Sequence, residues 1–206
     1  MLRKQPYKKG GRGMKKVVSM VVALAFIIGM PALVSAQFAD ELVIMDFNSG
    51  DKPNNLGGDF GAWDKDPNDD TQWCEASFEY GQDALGEPDG YAMRLKYDVD
   101  SPSPAYNGFW AKMEGEDFSD YNTLNIYIKG DPSQGFTKRL KIELKDYQRS
   151  AAYIVSGITE EWQKFSIPFE KFRTISDWSS MNEFVIVFDD VNTSPKEGSI
   201  LIDNIS

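Results

Sequence analysis

Two acidic residues stand where acids are costly. Asp46 lies in the apolar segment ELVIMDFNSG (residues 41–50) and Asp203 in GSILIDNI (residues 198–205), and a carboxylate inside an apolar strand needs a partner. Two such strands side by side near the ends of the folded chain could hold one calcium ion between these carboxylates and nearby carbonyl oxygens, because Ca2+ accepts many oxygen ligands in a flexible shell. Asp46 and Asp203 are the best candidate ligands, with Asn48 and Asp51 lesser ones; the alternative is that Asp203 accepts hydrogen bonds from backbone amides of the first strand. The acidic run 64–70 (DKDPNDD) lacks the glycine and terminal glutamate of an EF-hand loop and is expected to be a solvated turn. The chain has no histidine, which removes Ser-His catalysis, histidine acid–base chemistry and most zinc sites. Its one cysteine, Cys74, permits no intrachain disulfide and is expected to be a buried thiol.

A second kind of chemistry is spread over alternating residues. Sugar binding needs aromatic rings to stack on a pyranose face and polar groups at its edge to bond hydroxyls. Tyr127 and Trp110 offer rings; Arg94, Lys96, Asn125, Lys141, Glu143 and Tyr153 offer the polar edge. If their strands were neighbours in one sheet, these residues would form a single polar surface with aromatics in it. The alternative is a solvated sheet face carrying cross-strand charge pairs.

The elements that must position these residues are strands. From residue 41 onward apolar residues recur with period two, which predicts strands over 42–47, 72–80, 91–99, 108–114, 123–129, 139–145, 151–155, 163–167, 183–188 and 199–205. Leu140, Ile142 and Leu144 share one face, as do Leu124, Ile126 and Ile128, and Met93, Leu95 and Tyr97, so each of these strands has one core face and one wet face. Residues 184–188 (FVIVF) are apolar on both faces, as in a central strand covered on its outer side. Helical pattern is confined to single turns at 169–173 and 178–182. The glycine-rich stretch 54–63 is expected to be a structural loop crossing an end of the sandwich; Trp162 is expected in the core, and Trp178 is expected to pin a turn to the core edge. About ten short strands at regular spacing mean an all-β sandwich or barrel.

The first 36 residues are expected to be a Sec-type leader. Arg3, Lys4, Lys8, Lys9, Arg12, Lys15 and Lys16 precede the apolar run 17–33, and Val34-Ser35-Ala36 fits cleavage after Ala36. No cysteine at that site supports a lipoprotein anchor. The domain would then be residues 37–206, secreted or periplasmic, with 15 basic against 32 acidic residues and a net charge of −17. Such a charge disfavours nucleic acid and, once the leader is gone, membrane surfaces.

In order along the chain come DFNSG, NLGGDFGAW (55–63), LKYDV (95–99), YNGFW (106–110), KIELKD (141–146), WQKFSIPFEKF (162–172) and a terminal ILIDNI. This series resembles the galactose-binding-like jelly roll of carbohydrate-binding module family 11 and the related complex I intermediate-associated domain, over essentially the whole of residues 37–206. The resemblance implies a two-sheet jelly roll, a structural calcium and a concave face that grips a β-glucan chain. The leading expectation is therefore a non-catalytic polysaccharide-binding module, acting beside a glycoside hydrolase or in a surface assembly. A protein-binding assembly-factor domain is the second. A small glycoside hydrolase using Glu143 with Asp98 or Glu114 ranks last, because nothing in the sequence positions a carboxylate pair.

Overall fold

A computed structural model describes residues 41–206. The leader expected over residues 1–36 lies outside the described residues, as do residues 37–40 of the domain. Ten strands follow in order: β1 Phe60–Asp64, β2 Trp73–Tyr80, β3 Tyr91–Asp98, β4 Tyr106–Glu116, β5 Thr123–Gly130, β6 Arg139–Asp146, β7 Ser150–Ser156, β8 Gln163–Pro168, β9 Met181–Asp189 and β10 Glu197–Asp203. They build two five-stranded sheets, ordered β1-β4-β9-β6-β7 and β2-β3-β10-β5-β8, with every named pairing antiparallel. The all-β class is thus as the alternation predicted, and of sandwich and barrel it is the two-sheet sandwich that the resemblance implied.

The core is what the period-two pattern required. Leu140, Ile142 and Leu144 of β6, Leu124, Ile126 and Ile128 of β5, and Met93, Leu95 and Tyr97 of β3 are all buried between the sheets. Tyr97 stacks on Phe188 across the interior, ring centroids 4.2 Å apart, and its hydroxyl accepts the Thr137 amide at 2.7 Å, so the buried oxygen is not stranded. The doubly apolar segment is the middle strand β9: Phe184, Ile186 and Phe188 face the core while Val185 and Val187 face outward. Trp178 lies flat on Phe169 at 4.0 Å, beside the 3-10 turn Phe169–Lys171.

Three expectations fail locally. Residues 42–47 form no strand; Met45 bridges Ile205 alone, because the chain turns away at once, the Asp46 amide donating to Asn55 Oδ1 and the Asn48 amide to Asp46 Oδ1. The stretch 54–63 is not wholly a loop: from Phe60 it becomes the edge strand β1, paired with β4. Residues 178–182 make no helical turn, since Met181 and Asn182 already belong to β9.

Candidate functional site

The outer face of the β1-β4-β9-β6-β7 sheet carries a depression of about 590 Å3. Register places its lining in three rows across the strands. Gly61, Trp110, Val185 and Glu143 form one; Trp63, Gly108, Val187 and Lys141 form the next; Lys112, Glu183 and Lys145 form the third. Val185 and Val187 are the apolar floor, 3% and 5% exposed. Tyr106 on β4 pairs with Asp189 on β9 beyond the second row.

Glycines shape the aromatic side. A Cβ on Gly108 would fall 1.9 Å from the Ile186 carbonyl oxygen, so no other residue fits there, and the position beside Trp63 is left bare. A Cβ on Gly61 would lie 3.8 Å from the Trp110 indole nitrogen, so the ring rests directly against the edge strand's backbone. Trp63 and Tyr106 meet at 5.9 Å and 58°, and the Trp63 indole N–H is buried without an acceptor. The Lys112 ammonium sits 5.6 Å over Trp110, a cation–π contact.

The opposite side is charged and balanced. Glu183 binds Lys112 and Lys145, one oxygen each, both at 2.8 Å. Lys141 lies 3.5 Å from Glu143 and 3.7 Å from Asp189. Burial raises the Glu183 carboxyl, but the hydrogen bonds and charges of Lys112 and Lys145 outweigh it and hold the group below its ordinary value. A carboxyl depressed in the folded state adds stability above its unfolded pKa and loses it as pH falls through the folded one. The midpoint gap between the parent and Glu183→Gln should therefore be widest at neutral pH and close below pH 4, followed by thermal melts across that range.

The residues named from sequence do not share this face. Trp110, Lys141 and Glu143 line the depression. Tyr153, on β7, pairs with the buried Ile142 of β6 and packs against the core, its ring centroid 6.5 Å from that of Phe172, so it points inward. Arg94, Lys96, Asn125 and Tyr127 belong to the other sheet, because β3 and β5 flank β10 rather than β6. There Arg94 binds Glu79 at 2.7 Å, Asp131 at 2.5 Å and Ser199 Oγ at 3.0 Å, and Lys164 sits 5.8 Å over Tyr127. Trp162 is not in the core; the Lys129 ammonium lies 6.0 Å over its ring. Trp63, Tyr106, Lys112, Lys145, Glu183 and Asp189 were not singled out, although Tyr106 and Lys112 share the parity of Trp110 and Lys145 that of Lys141.

The acidic residues at the chain ends lie in a different region. Asp203, on β10, is fully buried, its oxygens accepting the Ala84 and Asn204 amides at 2.7 Å each. Burial pushes its carboxyl up to about 7, against those two amides and with the like charges of Asp83 and Asp46 adding to the rise. Asp46 and Asn48 line a hollow of about 450 Å3 together with Asp83, a loop residue that no sequence pattern marks. Asp83 Oδ1 accepts the Leu85 and Glu87 amides at 2.8 and 2.9 Å, while the buried Oδ2 has no partner. Asn48 Oδ1 and Asp83 Oδ2 both crowd Gly90, 2.7 and 2.9 Å from where a Cβ would stand. Among the described residues no three acidic or thiol side chains already close around one point. The donors are nonetheless all oxygens, one of them orphaned, the set a hard cation such as calcium takes.

The solved structures similar to this chain include three family 11 carbohydrate-binding modules. The family 11 carbohydrate-binding module from Clostridium thermocellum in complex with a β-1,3-1,4-mixed-linked tetrasaccharide matches with TM-score 0.54 and 16% identity, over 71% of this chain and 86% of that one. The family 11 module of the cellulosomal cellulase Lic26A-Cel5E of the same organism matches at 0.56 and 15%, over 81% and 94%. The solution structure of CtCBM11 matches at 0.57 and 16%, over 83% and 95%. At these identities the likeness is one of fold. No curated protein matches the chain significantly. The model of carbohydrate binding domain 30 matches residues 58–206, a family of typically non-catalytic modules often appended to glycoside hydrolases. With most of its length matched, the two-sheet sandwich belongs to the carbohydrate binding domain 30 family.

Proposed function

We propose that the module binds a β-linked glucan in the depression on the β1-β4-β9-β6-β7 sheet. The observation that carries this is the convergence there of three aromatic residues, Trp63, Tyr106 and Trp110, with Lys141, Glu143 and Lys145 over an apolar floor. Rings can stack on the C–H faces of pyranoses while charged groups bond their equatorial hydroxyls. Three lysines face three carboxylates, a balance suited to a neutral polymer. The fold likeness to a module solved with a mixed-linked tetrasaccharide supports the same ligand class. Native electrophoresis through gels containing mixed-linkage β-1,3-1,4-glucan should retard the protein; mobility unchanged in that glucan and in soluble cellulose derivatives would refute the reading.

Calcium is proposed as a structural ion held by Asp83, Asp46 and Asn48, with Asp203 beneath them. It would neutralise three carboxylates that otherwise repel one another, and its role is stability rather than sugar contact. The basic and apolar leader supports export, which a cell fractionation of the full chain would check.

A further inference from the structure

Exposed tyrosines in this domain are mostly occupied. Tyr80 leans on Tyr91 at 5.2 Å and donates to Asp89 at 2.6 Å, and Tyr106 lies between Trp63 and the Lys65 ammonium, 5.3 Å above it. Tyr147, 65% exposed, makes no ring–ring or cation–π contact among the described residues. It stands in the β6–β7 turn beside a hollow of about 340 Å3 whose walls include Asp146, Gln148, Arg149, Asp177 and Ser180. The turn is firmly built. Asp146 Oδ1 accepts the Gln148 and Arg149 amides at 2.6 and 2.5 Å, and a Cβ on Gly115 (φ 81°), in the β4 bulge, would come within 3.4 Å of the Tyr147 hydroxyl and Ser180 Oγ. The ring's tip is thus braced by the bulge.

The polar groups around the ring have capacity to spare. Arg149 donates through Nη1 to Ser176 Oγ and, among the described residues, has no carboxylate at ion-pairing distance, leaving most of its donor fork open. Asp177 takes the Ser179 amide and hydroxyl on Oδ1 alone. An open aromatic face, a guanidinium fork and a carboxylate edge are what a single pyranose with adjacent hydroxyls requires.

We propose that this hollow is a second carbohydrate subsite, holding one pyranose unit and filling independently of the central depression. The inference rests on the glucan reading for its ligand class. The two sites lie along one sheet, parted by the Lys112–Glu183–Lys145 row, since Asp146 directly follows Lys145. One polymer reaching both would gain the effective-concentration advantage of a linked ligand.

The test is an amide NMR titration of the domain with a β-1,3-1,4-linked tetrasaccharide, in the parent, Trp110→Ala, Tyr147→Ala and Arg149→Ala. Two sets of signals should move in the parent, one around Val185 and Val187 and one around Gln148, Arg149 and Ser180. Trp110→Ala should keep only the second, and each turn variant only the first, with polymer affinity lowered about tenfold by either turn variant. Turn amides that stay still at saturation, or that move only while Trp110 is intact, overturn the independent subsite. Moving turn amides beside motionless floor amides would uphold it and refute the glucan reading of the central depression.

Discussion

Trp110→Ala should weaken binding of mixed-linkage glucan about thirty-fold, the loss of roughly 2 kcal/mol that a buried aromatic anchor typically carries. The indole rests on the backbone at Gly61, adjoins the Val185 floor and occupies no part of the core. Stacking area should therefore vanish while the fold stays intact. Isothermal titration would measure the affinity and a thermal melt would show a midpoint near the parent's. Tyr127→Ala is the matched control, a ring under a lysine like Trp110 but on the other sheet. Equal losses from both substitutions would mean that the depression is not the principal site.

Withdrawal of calcium should lower the melting midpoint, and more at pH 8 than at pH 5. In the folded domain burial holds the Asp203 carboxyl up at about 7, well above its ordinary value. A group raised in the folded state contributes stability fully below its unfolded pKa and loses it as pH rises through the folded one. The calcium-free domain should therefore weaken between pH 4 and 7, by at most roughly 4 kcal/mol or on the order of 10 °C. A divalent cation beside the deprotonated cluster offsets that loss, so millimolar calcium should flatten the pH profile. Asp203→Asn should flatten it without calcium and reduce the response to the ion; Asp83→Asn, at the orphaned oxygen, should reduce the response too. A midpoint at pH 8 indifferent to chelation would remove the ion from the account.

The alternation of single strands was legible because it is local: Leu140, Ile142 and Leu144 could only share a face. Which strands lie beside which was not, because pairing is decided by contacts far apart in sequence. β3 lies against β2 and β10, and β6 against β9 and β7, so residues with identical patterns, Arg94 and Lys141 among them, ended on opposite sides of the molecule. Strand β1 escaped notice because FGAWD is short and begins beside a glycine cluster, where turn signals outweigh pairing. Asp83 escaped because it sits in a loop, QDALGEP, whose polar character gives no hint that it folds down over Asp203. Tyr153 has the composition of a sugar contact but the parity of a core residue, and parity decided.

Alternate residues of β4 and β6 do different work, which lets the ligand-facing positions be rewritten without disturbing the interior. Lys112, Lys141, Glu143 and Lys145 can each be exchanged while Ala111, Met113, Leu140, Ile142 and Leu144 hold the fold. Strand β9 does not share this freedom. Val185 and Val187 floor the depression, while Ile186 between them is wholly buried and its carbonyl is pressed against Gly108. Diversification of specificity in such a domain would thus be channelled into the flanking strands, with the central strand the slowest to change.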